Sequence, residues 1–280
     1  MASVTRLEHL LKLLDDDSEV VRSAVREKLA CMRKDLPLHL AHLERPLSVT
    51  EDRMVAQMLA PVRREELLEQ WMRWRWMDQP DAQLEEGLSQ IGAFLAGWKA
   101  DPADLSPRLD ALADEAFKDR GHMNERELAE WLFGRQGDPV RFRGNSKDYY
   151  APQNSNLYWV LDTGLGNPIS LCCLYRLIAR RFELKVSGCN FPGHFLSRVV
   201  FEGETYLVDC FNRGRFMLAS DVARHHPAAN PSMDEIIREP ATVDAILLRV
   251  LRNLEEAYDR GNAAEERKLM RKLALRLMED

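Results

Sequence analysis

The chain has 280 residues, 45% of them hydrophobic and 30% charged, which excludes a disordered polyelectrolyte and allows one large domain or a few small ones. A net charge of −6 argues against general binding to nucleic acid or to an anionic membrane surface. No apolar run approaches the roughly 18 residues of a membrane span, and the N-terminus MASVTRLEHLLKLLDDD lacks a signal-peptide core, so the expected setting is the cytoplasm. The 5 cysteines agree: odd in number, with two adjacent, they make a poor disulfide framework and fit a reducing compartment.

Residues 1–60 read as helices. Leu7, Leu10, Leu11 and Leu14 form one apolar stripe, and Val21, Val25 and Leu29 another. The acidic run at 15–17 breaks the first helix, and Ser18 is placed to cap the second. The paired leucines, acidic turn and Val-Arg/Ala-Val steps form a single HEAT-like unit, which must pack on its neighbours to bury its face. Helices are expected over 50–60, 62–77, 81–98, 106–118 and 123–134, with prolines marking starts or breaks. In WMRWRWM (71–77), Trp71 and Trp74 share an inward face, while Arg73 and Arg75 are expected in solvent.

From 137 the chain becomes rich in Gly, Asn, Asp and Pro, then enters a helix over 168–182. Strands are expected over 185–189, 194–201 and 204–210, the last two joined by a Glu202-Gly203 turn. The chain then returns to helix, ending in a hairpin of 242–260 and 263–278 hinged at Gly261-Asn262. The expected domains are a helical region (1–136), an α+β core (137–230) and a helical hairpin (231–280).

Chemistry concentrates in the core. Ser170, Cys172 and Cys173 lie at the start of the 168–182 helix, where the helix N-terminus favours a thiolate and offers N–H groups to an oxyanion. Ser170 and Cys173 share a face aimed at the sheet, whereas Cys172 lies with Arg176 and Arg180 and is expected to point sideways. His194 and Asp209 fall near one another across the expected hairpin, and a carboxylate beside an imidazole fixes its tautomer. Nucleophile, base and orienting carboxylate in this order follow the logic of Cys-His-Asp acyl transfer. Asn154, Asn156 and Tyr158, in the preceding loop, are candidate oxyanion or cleft groups. Each residue also has a structural alternative: Ser170 as a cap, the cysteines as small buried hydrophobes, the asparagines as turn formers. The cysteines and His194 lack zinc-ligand spacing, and no phosphate-binding glycine motif occurs, so neither metal nor cofactor is expected.

The segments NSNLYWVLDTGLGNPISLCCLYRLIARR, NFPGHFLSRV and YLVDCFNRGR resemble the SirB1-like branch of the transglutaminase-like superfamily. The final hairpin resembles that family's tetratricopeptide-like region. The resemblance implies a papain/transglutaminase-like core, a central helix packed on an antiparallel sheet, with His194 and Asp209 as base and orienter. Its nucleophile position falls near Ser170, where the SirB1-like branch commonly carries Pro-Ile-Ser. Two functions follow. One is a regulatory or scaffolding pseudoenzyme that binds a protein or peptide partner. The other is an acyl-transfer enzyme, hydrolysing or transamidating an amide, with Ser170, Cys172 or Cys173 as nucleophile.

Overall fold

A computed structural model describes residues 2–43, 45–135, 140–225 and 232–279. Both expected domain borders, after 136 and after 230, lie outside the described residues.

The N-terminal apolar stripes close on one another. Helices α1 (Ala2–Leu11), α2 (Glu19–Met32) and α3 (Leu36–Ala41) meet the first half of α4 (Val49–Gln70), burying Leu7, Leu14, Leu29, Leu36 and Leu59 in a small core of their own. The acidic run does break the first helix, but Ser18 makes no side-chain cap; its backbone N–H instead donates to Asp16 Oδ1 at 2.8 Å. Ser48 caps α4 in a reciprocal box with Glu51. Helix α4 continues through Pro61, where the sequence suggested a break. Apolar residues on both sides of the proline, Val55, Leu59 and Leu67, are buried and hold the helix in register across it.

A 3-10 turn over Trp71–Trp76 follows, and its three-residue period stacks Trp71 and Trp74 inward. Trp71 Nε1 donates to the Leu273 carbonyl at 3.1 Å. Arg75 is not free in solvent: it reaches Asp244 and the Leu277 carbonyl, both at 3.2 Å. The tryptophan tract therefore clamps the C-terminal hairpin, α12 (Val243–Arg260) and α13 (Ala264–Met278), onto the core. Its intervening helices are α5 (Pro80–Ala96), α6 (Leu105–Arg120), α7 (Glu125–Phe133), α8 (Leu157–Thr163), α9 (Pro168–Arg181), α10 (Ala219–His225) and α11 (Ser232–Arg238).

Helix α9 is the axis of the main core. From Pro168 to Ala179 every side chain except Arg176 is buried, because α5, α6, α7, α8, α12 and the sheet surround it. A two-residue parallel pair, β1 (Arg143–Gly144) and β2 (Leu165–Gly166), leads into it. The principal sheet is antiparallel in the order β3 (Val186–Cys189), β4 (Leu196–Phe201), β5 (Glu204–Asp209), β6 (Arg215–Leu218). The β4–β5 turn forms at Glu202-Gly203, both with positive φ (52° and 83°), so Phe201 pairs with Glu204.

The alternation of the strands gives the sheet two different faces. Val186, Val199 and Val208 turn toward α9 and join the main core. Leu196, Leu207 and Cys189 turn the other way and pack with Ala219 and Ile237, beneath α10 and α11.

Candidate functional site

The turn before β4 sets His194. Pro192 and Gly193 occupy its centre, Gly193 has φ +76°, and His194 N–H donates to the Phe191 carbonyl at 3.2 Å. Proline followed by a left-handed glycine suits a type II turn. The strand begins at Leu196, so His194 sits on this turn rather than in the strand the sequence suggested. Ser197 pairs with Val208, which brings the last residue of β5, Asp209, alongside the end of the His194 turn.

His194 Nε2 and Asp209 Oδ1 are 2.8 Å apart. Asn212 holds the carboxylate from the other side, donating from its backbone N–H to Oδ1 (3.1 Å) and from Nδ2 to Oδ2 (2.8 Å). Burial pushes the Asp209 carboxyl upward, but the hydrogen bonds from His194 and Asn212 outweigh it and hold the group below its ordinary value. The imidazole meets the edge of the Phe211 ring, centroids 6.1 Å apart, and is 30% exposed. The pair opens on a cleft of ≈ 720 Å³ whose other walls include Phe191, Arg215, Phe216, Met217 and Val222.

The candidate nucleophiles lie elsewhere. Ser170 is the N3 residue of a capping box. Its Oγ accepts from Asn167 N–H (3.0 Å) and donates to the Asn167 carbonyl (3.1 Å), while Asn167 Oδ1 accepts from Ser170 N–H (2.9 Å). Asn167 Nδ2 is tied in turn to Ser155 Oγ at 2.7 Å. The hydroxyl is thus occupied as donor and acceptor and only 2% exposed. Cys173 is buried, and desolvation drives its thiol well above the ordinary range, toward the protonated, unreactive form.

Cys172 does not point sideways. Its Sγ lies 3.6 Å from the Phe195 carbonyl, beneath the start of β4, because the flank of α9 that carries it is itself covered: Arg176 on that flank pairs with Asp81 of α5 at 2.6 Å. Cys172 also contacts Cys210, which burial keeps protonated and whose Sγ lies 3.4 Å from Ser197 Oγ. These thiols belong to the main core on the α9 side, whereas the His194–Asp209 cleft adjoins Leu196, Met217 and Val222 on the opposite face. Neither Ser170, Cys172 nor Cys173 lines that cleft.

The loop candidates are also engaged in holding structure. Asn154 accepts from Asn145 Nδ2 (2.9 Å) and donates to the carbonyls of Asp148 (2.6 Å) and Tyr149 (3.0 Å). Asn156 caps α8 by accepting from Tyr158 N–H at 3.0 Å. Tyr158 donates its hydroxyl to the Asp101 carbonyl at 2.8 Å, and burial raises its pKa. None of the three reaches the cleft. Asn212 and Phe211 were not foreseen as site residues; the Asp-x-x-Asn spacing of 209–212 carried a signal for the first, and nothing local announced the second. Arg215, for which the sequence favours a solvated role over holding an acidic substrate group, lines the cleft. Among the described residues no cluster of three His, Cys, Asp or Glu could hold a metal, and no helix is long and apolar enough to cross a membrane. His225 ends α10, and His226 lies outside the described residues.

The family model of the transglutaminase-like superfamily matches residues 103–252. This is just over half of the chain, which belongs to that superfamily. Relatives include UPF0162 proteins of Xylella fastidiosa: that of strain Temecula1 is 37% identical over 134 residues, 46% of each chain, and that of strain 9a5c 36% identical over 138 residues, 47% of this chain and 48% of the relative. F-box only protein 21 of Homo sapiens is 39% identical over 75 residues, 27% of this chain and 12% of that one. The chain spans about half the length of the bacterial relatives it matches. No solved structure matches.

Proposed function

We propose that this chain is a SirB1-like pseudoenzyme of the cytoplasm: a regulatory scaffold that keeps the transglutaminase-like core and uses it to bind an extended segment of a protein partner. One observation carries the reading. The His194–Asp209 pair opens on a cleft of ≈ 720 Å³ whose lining, among the described residues, contains no serine, threonine or cysteine, while the candidate nucleophiles lie across the sheet from it. A base without a nucleophile in reach cannot form an acyl-enzyme. The lining, with Phe191, Phe216, Met217 and Val222 beside His194, Asp209 and Arg215, suits side chains of a peptide more than a single small polar substrate. The HEAT-like start and the tetratricopeptide-like hairpin serve in this reading as helical arms flanking the core.

The test has two arms, both on the full chain. Incubation with activated acyl donors, followed by intact-mass measurement, is expected to leave the protein unmodified. A peptide library selected on the wild type is expected to yield binders that lose affinity for Val222→Arg. An adduct on Cys172 that disappears in His194→Ala would overturn the reading in favour of acyl transfer. Selected peptides indifferent to Val222→Arg would remove the cleft as the binding site.

A further inference from the structure

The principal sheet has two edges, and they are finished differently. At β3, Ala241 N–H donates to the Gly188 carbonyl at 2.8 Å, so the segment that enters α12 covers that edge. The other edge is β6. Successive residues of an antiparallel strand direct their backbone groups alternately to one side and the other, so part of the N–H and C=O groups of β6 face away from β5. Among the described residues, no backbone group outside the sheet hydrogen-bonds to Arg215, Phe216, Met217 or Leu218. The same four residues, the whole of β6, line the His194 cleft.

An open edge is normally blunted by proline, by a bulge or by several charges. β6 has none of these. It reads Arg-Phe-Met-Leu, pairs with β5 without interruption from Arg215 to Leu218, and keeps its apolar side chains only partly buried.

The charges of the cleft indicate what the edge accepts. Asp209 is held by His194 and Asn212, and Asp221 pairs with Arg224. Arg215 is exposed and meets no carboxylate among the described residues, although Asp209 is its cross-strand neighbour. A second copy of the chain does not supply the match through the same strand: β6 has no acidic residue, so β6 laid on β6 leaves the guanidinium without a partner.

The period of a strand sets the pattern of what does fit. Arg215 and Met217 stand on one face, and Met217 packs there with Leu196 and Val222. A strand added to β6 presents its own residues with the same period, whichever way it runs. An acid opposite Arg215 therefore comes two residues from the side chain opposite Met217.

We infer that β6 is a docking strand: an extended segment of a partner protein adds to the sheet beside it, with an acidic residue on Arg215 and an apolar residue two positions away over Met217 and Val222. The inference rests on the reading of the His194 cleft as a peptide site and supplies the mode of binding. Main-chain bonds to β6 give affinity, and the face of Arg215 and Met217 gives specificity.

The experiment selects a phage-displayed library of random peptides on the full wild-type chain. The tightest peptide is then synthesised with single N-methyl groups at successive backbone positions. Binding is read by fluorescence anisotropy on the wild type, Arg215→Glu and Val222→Arg. N-methylation is expected to weaken binding by at least about tenfold at alternate positions and to leave it nearly unchanged between them, because only every second amide faces β6. The selected peptides are expected to share an acidic residue two positions from an apolar one, and Arg215→Glu to weaken them by about tenfold. The methylation profile is read on the wild type and stands even if a variant fails to fold. A profile without alternation, or affinity indifferent to Arg215→Glu, overturns the inference; where Val222→Arg still abolishes that binding, the cleft remains a peptide site and only the added strand falls. A library that yields no binder overturns both. A free chain that sediments as a dimer broken by the peptide assigns the edge to a second copy and likewise overturns the inference.

Discussion

The first turn of α9 and the turn that carries His194 are built from similar materials and end in opposite conditions. Each is a four-residue segment containing proline that leads into an element of the core: Asn-Pro-Ile-Ser into α9, Phe-Pro-Gly-His into β4. In the first, the polar groups are turned on one another, with Asn167, Ser170 and Ser155 closing a buried network. In the second, one imidazole nitrogen is anchored by Asp209 while the ring stays 30% exposed at an open cleft. The difference is one of closure: the start of α9 satisfies its polar groups internally, whereas the His194 ring keeps one side open to a cleft.

The comparison can be broken most severely from inside α9. Leu174 is fully buried at its centre, and Leu174→Ala is expected to cost about 2–5 kcal/mol, read as a lower urea midpoint at unchanged slope. If the helix tolerated this change, it would not be the axis of the core.

The His194 corner is expected to yield less. Asp209→Ala removes the acceptor for His194 and for both donors of Asn212, at a cost of about 1–3 kcal/mol. The pH dependence has a defined sign. The folded Asp209 carboxyl lies below its ordinary value, so its contribution is fully present above the unfolded carboxyl's ordinary value and is lost as pH falls through the folded one. Urea melts of wild type and Asp209→Asn should therefore differ most at neutral pH and converge in strong acid. A difference that grew toward low pH would contradict the assignment.

Smaller still is the cap. Asn167→Ala is expected to cost about 1 kcal/mol. Its sharper use is qualitative: the change should leave peptide binding at the His194 cleft intact, whereas a catalytic first turn would couple the two. The least energetic test is chemical. Cys31 is exposed and the other four cysteines are buried, so a thiol reagent should modify one site quickly, and Cys31→Ser should abolish that fast phase. A fast phase remaining in Cys31→Ser would place a reactive thiol in the core.

Much of this was legible in the chain. Glu202-Gly203 announced its hairpin, because two adjacent residues with positive φ leave few alternatives to a tight turn. Asn-Pro-x-Ser announced the start of α9, and the fifteen-residue spacing brought His194 near Asp209. Other features were not local. Pro61 reads as a break, yet burial on both sides of it carries α4 through. Cys172 reads as a flanking residue, yet neighbours cover that flank. Asn154 and Asn156 take the local turn-forming and capping role that the sequence offered as the alternative to a cleft role, whereas Tyr158 gives its hydroxyl to the Asp101 carbonyl, a partner that no spacing rule connects to it.

By itself the sequence determined the local alphabet of this protein: where helices start, where the hairpin turns, and which titratable groups share the core. Those outcomes depend on caps, turn geometry and periodicity, which act over a few residues. The tertiary structure decided which side of the sheet each group faces. Asp209 and Cys210 are adjacent in the chain and fall on opposite faces, one beside the open cleft and one in the core against α9. In a strand a single residue step exchanges the two, and only the packing of α9 on one face and α10–α11 on the other fixes which outcome holds.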